Sequence, residues 1–146
     1  MNNFLYKEGL LIQPLTDSDI HVWCLSTELS RLELESLFIL LSPDQKTRVV
    51  RFYFERDGNR FIAARGFLRT IIAGYMEMDP SKLEFIYGNF GKPVCKPQSQ
   101  EKTLEFNLSH SKDLALYIFN QNRQVGIDVE YIRSMPDMNG MRNCPG

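Results

Sequence analysis

Apolar residues in this chain change their spacing at Asp79-Pro80. Upstream, Phe61, Ala64, Leu68, Ile71, Ile72 and Tyr75 recur at intervals of three, four and seven, the stripe of an amphipathic helix. Downstream, Leu83, Phe85 and Tyr87 alternate, as strand residues with one covered face do. Helices first and antiparallel strands later imply an α+β fold, with helices packed on an antiparallel sheet.

The element pattern can be read further. Residues 20–26 alternate as an opening strand, with Ile20, Val22, Cys24 and Ser26 on one face and His21, Trp23 and Leu25 on the other, both faces partly covered. Leu29, Leu32, Leu34, Leu37, Phe38 and Leu41 form a short helical stripe. Ser42-Pro43-Asp44-Gln45 restarts the chain as a helix: Ser42 caps it, Pro43 fits its first position and Gln45 completes a capping box. The helical pattern continues to about residue 78 in two pieces, with Asp57-Gly58-Asn59 as the expected break. The first piece sets Lys46, Arg48, Arg51 and Arg56 against Val49, Phe52, Tyr53 and Phe54. Strands are expected at 104–108, 114–119 and 125–132, the last two joined by a hairpin at 120–123. Residues 1–132 then make one domain, and the unpatterned 133–146 an unstructured tail.

Charge and cysteine content narrow the function classes. Seventeen Lys+Arg against eighteen Asp+Glu leave a net charge of −1, so no global field draws the chain to nucleic acid or an anionic membrane. The three cysteines, Cys24, Cys95 and Cys144, form no C-x-x-C pair, which argues against a disulfide framework or a structural zinc site and fits a reducing cytoplasm. Cys24 and Cys95 read as packing residues. Residues 1–146 lack a basic region followed by an apolar run and any 18-residue apolar stretch, so neither a signal peptide nor a membrane span is expected.

Gly126-Ile127-Asp128-Val129-Glu130 is the most informative segment. An extended chain places residues two apart on one face, so Asp128 and Glu130 aim together and repel unless a cation lies between them. Hard oxygen ligands without His or Cys favour Mg²⁺. The same spacing also describes the acidic solvent edge of an amphipathic strand, which is the commoner case. Asn107-Leu108-Ser109-His110-Ser111 gathers hydrogen-bonding groups at a strand end; His110 could donate to a phosphate or act as a base, or be a surface histidine. Gly91-Lys92-Pro93 offers one cation in a turn, and the arginines between Arg48 and Arg69 could form either a phosphate-binding face or an ordinary solvated one.

Taken in order, Ser42-Pro43 opening a helix, Arg51-Phe52 through Arg69, Gly91-Lys92-Pro93, Phe106 through Ser111 and Gly126 through Glu130 resemble the surfactin-synthetase-activating type of 4′-phosphopantetheinyl transferase. The resemblance spans roughly residues 20–132. It implies one half of that family's pseudo-symmetric fold. It also implies Mg²⁺-dependent transfer of the phosphopantetheine arm of coenzyme A to a serine of an acyl or peptidyl carrier protein, releasing 3′,5′-ADP. By resemblance, Asp128 and Glu130 hold the metal, His110 contacts the coenzyme A phosphates, Ser109 helps bind the nucleotide end, Lys92 touches coenzyme A and Arg48 contacts the 3′-phosphate. Gln45 stands where some members carry a further cation.

Members of this type continue into a second half with a W-x-x-K-E-x-x-x-K helix, whose glutamate completes the metal site, and with a further glutamate proposed as the base. Neither occurs here, where Trp23 is the only tryptophan. The expectation is therefore a truncated form carrying the first half of the site. The alternative to an enzyme is a coenzyme A-binding or structural fragment. A lone half would leave uncovered the apolar face that its second half covers, and so should self-associate.

Overall fold

The computed structural model describes residues 12–87, 93–95, 103–130 and 132. Strand β1 (Ile20–Ser26) is followed by helices α1 (Arg31–Leu40), α2 (Pro43–Val50) and α3 (Glu55–Met76), and then by a 3₁₀ turn, Pro80–Lys82. Strands β2 (Phe85–Tyr87), β3 (Pro93–Cys95), β4 (Leu104–Ser111) and β5 (Leu114–Gln121) complete the order. β1, β5 and β4 form an antiparallel sheet in that order, and β2 pairs with β3 in a separate ribbon. The α+β reading holds. Among the described residues no helix is long and apolar enough to cross a membrane.

Helix α3 is the axis of the core. From Phe61 to Ala73 it is buried almost throughout, including the sequence-read residues Phe61, Ala64, Leu68, Ile71 and Ile72. It lies between α1 and the inner face of the sheet, where Phe106, Ala115, Tyr117 and Phe119 are at most 3% exposed. Helix α1 comes so close that a Cβ on Gly66 would stand 2.6 Å from that of Leu37, so glycine is required there. The buried Tyr117 hydroxyl donates to the Ala64 carbonyl at 2.6 Å, fixing β5 along α3. At the other end, Trp23 Nε1, a donor only, bonds the Tyr75 hydroxyl at 3.0 Å. The Tyr75 hydroxyl also shares a hydrogen bond with His21 Nδ1 at 2.8 Å.

Both capping boxes are formed. Ser42 and Gln45 close the start of α2 as read, and Ser30 and Glu33, which the leucine stripe obscured, do the same for α1. The break between the helical pieces falls at residues 51–54, not at Asp57-Gly58-Asn59. Asp57 sits in the first turn of α3, where the helix dipole favours a carboxylate, and Gly58 lets the turn approach Val49. Phe52, Tyr53 and Phe54 thus belong to a connector rather than a helix face; Tyr53 is 92% exposed.

The β hairpin also differs from expectation. It joins β4 to β5 through Lys112-Asp113, with Ser111 opposite Leu114 and Lys112 at φ 50°. Thr27 secures the turn by bonding the carbonyls of Asp113 and Lys112. The hairpin expected at 120–123 is absent, and 124–130 has no regular secondary structure; Asn120 instead ties the end of β5 to the segment before β1. Its side chain, fully buried, donates to the Asp19 carbonyl and accepts from Arg123 N. One face of β1 is open rather than both being partly covered: Ile20 and Val22 are more than half exposed. Cys24 shares that open face and is exposed, which corrects its reading as a packing residue; Cys95 is buried as expected.

Candidate functional site

The alternation of residues 125–130 survives without a strand. Val125, Ile127 and Val129 are half-buried, while Gly126, Asp128 and Glu130 face solvent, so the two-residue period persists. The segment is tethered to β4 by side chains rather than by a backbone ladder. Ser109 Oγ donates to Asp128 Oδ1 at 3.1 Å and accepts from Val129 N at 3.0 Å. Two motifs that lie 19 residues apart in sequence are thereby joined at one point.

These bonds use only one carboxylate oxygen of Asp128 and orient it. Glu130 is exposed two residues on, and two such carboxylates suit a small hard cation that keeps water or substrate oxygens in its shell. No group of three His, Cys, Asp or Glu side chains converges among the described residues. A cation held by Asp128 and Glu130 would therefore take its further ligands from water, substrate or other protein groups.

His110 follows Ser109 on β4 and therefore points to the opposite face, the one shared with Phe106 and Leu108 and turned toward α3. Its place above the helix is bracketed by two contacts. Tyr117 reaches Ala64, and Arg60 reaches Asp113 with Nη2 at 3.1 Å and Nε at 3.3 Å, while His110 pairs in register with Ala115 between them. The imidazole has one side open to solvent. Packing behind it, and then the charges of Arg65 and Arg60, hold its pKa below the ordinary histidine value, so it is neutral at pH 7.

Arg48 lies on the same helical layer. Its guanidinium carbon is 5.0 Å from the centroid of the Phe61 ring, and that of Arg65 is 5.5 Å from the same centroid. Burial foremost, and the charge of Arg48 as well, push the Arg65 pKa down, although an arginine remains a cation. Sequence reasoning had placed Arg65 only within a broad basic stretch; its spacing of four from Phe61 was the signal that could have singled it out. Gln45 is turned into the fold. It is 5% exposed, its Oε1 accepting from Ser42 N and from Arg69 Nε, so the amide is used inside the fold. Lys92 lies outside the described residues.

The structure thus joins Ser109 to Asp128 on one side of β4, and brings Arg48 and Arg65 together at Phe61, with Arg65 also near His110 on the side of α3. An open groove of about 700 Å³ elsewhere, between α1 and the start of α3, is lined by Leu34, Phe38, Ile39 and Asn59 among others and holds none of these residues.

The family model described as 4′-phosphopantetheinyl transferase, N-terminal, matches residues 28–121. The chain belongs to this family. A 4′-phosphopantetheinyl transferase, HetI, of Nostoc sp. is 39% identical over 127 residues, which cover 87% of this chain and 54% of that protein. The Bacillus subtilis 4′-phosphopantetheinyl transferase Sfp is 30% identical over 102 residues, covering 70% of this chain and 44% of its own. The chain spans about half the length of these relatives. Among solved structures, the Helicobacter pylori holo-[acyl-carrier-protein] synthase in complex with coenzyme A superposes with a TM-score of 0.50 at 14% identity, over 71% of this chain and all of that one. That likeness establishes a shared fold. The family's N-terminal unit therefore contains the helices and the hairpin that position Arg48, Arg65, Ser109 and His110, while Asp128 and Glu130 follow the matched stretch.

Proposed function

We propose that this chain is the coenzyme A-binding half of a Mg²⁺-dependent 4′-phosphopantetheinyl transferase acting on an acyl or peptidyl carrier protein in a reducing cytoplasm. The observation that carries the reading is the bond from Ser109 to Asp128, which joins the Asn107-to-Ser111 motif to the metal-type carboxylate pair. The fit of the residues to the chemistry supports it. Transfer breaks the diphosphate P–O bond of coenzyme A, forms a bond from the carrier serine Oγ to the phosphopantetheine phosphorus, and releases 3′,5′-ADP. The serine proton must pass to a base.

Asp128 and Glu130 would hold Mg²⁺, which when bound supplies positive charge against the diphosphate. Arg48 and Lys92 add fixed positive charge on the nucleotide side, and the neutral His110 can donate one N–H to a phosphate oxygen without carrying a charge of its own. Ser109 steadies the nucleotide end and the Asp128 carboxylate together.

A specific observation favours a second reading: the chain covers 54% of HetI, so the groups that complete the reaction in such relatives can lie in the other half. On that reading the chain binds coenzyme A and transfers nothing by itself. Intact-mass spectrometry of an apo carrier protein incubated with the chain, coenzyme A and Mg²⁺, against an EDTA control, separates the two. A Mg²⁺-dependent gain of one phosphopantetheine unit is the result expected of an enzyme. Coenzyme A binding without that gain is the result expected of a binding half, and neither would overturn both.

Self-association belongs to the same proposal. The outer face of the β1-β5-β4 sheet carries Ile20 at 57%, Val22 at 58% and Leu114 at 36% exposure, an apolar row without cover among the described residues. Sedimentation should show a concentration-dependent dimer or larger species, and Val22→Glu should shift it to monomer. A wild-type chain that stays monomeric at high concentration would refute the idea.

A further inference from the structure

We infer that Arg65 is a third cation of the phosphate-binding face, gripping an anionic phosphoryl group together with Arg48 beside the ring of Phe61. The inference rests on the reading of this chain as a coenzyme A-binding half and adds a residue to that site. Its ground is the way the charges are arranged. Arg65 follows Phe61 by four residues on α3, so helix geometry stacks its stem and guanidinium over the ring, while Arg48 arrives at the same ring from α2.

Stacking alone would account for one arginine on an exposed ring. It does not account for two on a ring that is 7% exposed, because like charges repel and burial disfavours the half-buried Arg65, while Arg48 reaches solvent. Other arginines of the helical layer have evident compensation. Arg31 pairs with Glu35, Arg60 with Asp113 and Asp57, and Arg69 spends its fork on Gln45 and two carbonyls. Arg51 and Arg56 are exposed to water, as Arg48 is, whereas Arg65 is half-buried. Arg48 and Arg65 have no carboxylate partner among the described residues, and His110 is held over the same part of α3 by the Tyr117 and Arg60 anchors. A place where two guanidinium forks meet with no unpaired acid beside them among the described residues, and where the half-buried Arg65 also neighbours His110, is suited to an acceptor with several oxygens, and a phosphoryl group offers the matching geometry.

The test is calorimetric binding of adenosine 3′,5′-bisphosphate to the full chain at low ionic strength, with thermal melts to confirm folding. Arg65→Gln should weaken binding about tenfold or more, as loss of a charge-assisted contact does. Arg65→Lys, which keeps the charge and the stem, should recover part of that loss, whereas a purely structural role would lower the melting temperature and leave the affinity of the folded protein unchanged. If Arg65→Gln does not fold, Arg65→Lys still decides: affinity equal to wild type would deny the fork a role, and a loss of a few-fold would support it. Undiminished binding by folded Arg65→Gln, alongside loss in Arg48→Gln, would overturn the role of Arg65 and leave the coenzyme A reading intact. A wild-type chain that does not bind the nucleotide would overturn both.

Discussion

Arg69→Met should unfold the protein about 1–2 M earlier in urea, a loss of about 2–4 kcal/mol. Arg69 is 2% exposed in the middle of α3, and its partners are neutral: Gln45 Oε1 at 2.8 Å, the Pro80 carbonyl at 3.1 Å and the Leu83 carbonyl at 3.0 Å. Its guanidinium also lies 5.1 Å from the Phe85 ring centroid. Replacing a buried ion pair with apolar side chains is often harmless because both charges go together. Here no carboxylate leaves with the arginine, so methionine would strand acceptors that the fold cannot hydrate. Arg69 ties the start of α2 and the 3₁₀ turn to α3, so the defect should be global rather than local. Arg69→Lys should fall between the two, keeping the charge while losing the fork and the stack. An unchanged urea midpoint in Arg69→Met would mean that water reaches these carbonyls and that the node is not structural.

That node marks the boundary of what could be read from the chain. The Ser42 to Gln45 box was legible because capping is a local rule, and the α3 stripe because helix periodicity is. The long-range use of Gln45 was not. Nothing local says that the same amide oxygen serves Arg69 from 24 residues away, and family likeness pointed instead to a charged ligand subsite. Likewise Asp57-Gly58-Asn59 has the composition of a break, but the dipole at the start of α3 accommodates its aspartate and the approach to Val49 accommodates its glycine. Turn chemistry in sequence does not decide which side of a helix terminus it will occupy.

The site divides in the same way. The shared exposure of Asp128 and Glu130 follows from a two-residue period that persists though the expected strand does not form. The link between Asp128 and Ser109 is a tertiary fact, invisible to spacing, and so is the meeting of Arg48 and Arg65 at Phe61. The hairpin was missed for a related reason. Lys112-Asp113 lacks the Asn-Gly or Asp-Gly signature of a tight turn, and its positive φ is supported by Thr27 from the end of β1.

Asp128→Ala should remove the Mg²⁺-dependent part of coenzyme A binding, a loss of about tenfold or more in affinity, because a divalent ion sharing only two protein carboxylates loses half of its protein charge partners. Both side chains are exposed, so the substitution should leave the fold in place and the melting temperature nearly unchanged. Ser109→Ala provides the internal comparison. It keeps both carboxylates but removes the hydroxyl that donates to Asp128 and accepts from Val129, so it should weaken the Mg²⁺ effect without abolishing it. Measured by calorimetry with Mg²⁺ and then with EDTA, wild type should show a clear difference in affinity, Ser109→Ala a smaller one and Asp128→Ala none. A full Mg²⁺ effect in Asp128→Ala would place the ion elsewhere and reduce the carboxylate pair to an acidic edge. An effect lost equally in both variants would give Ser109 more than an orienting part, since the hydroxyl would then be as necessary to the ion as the carboxylate it steadies.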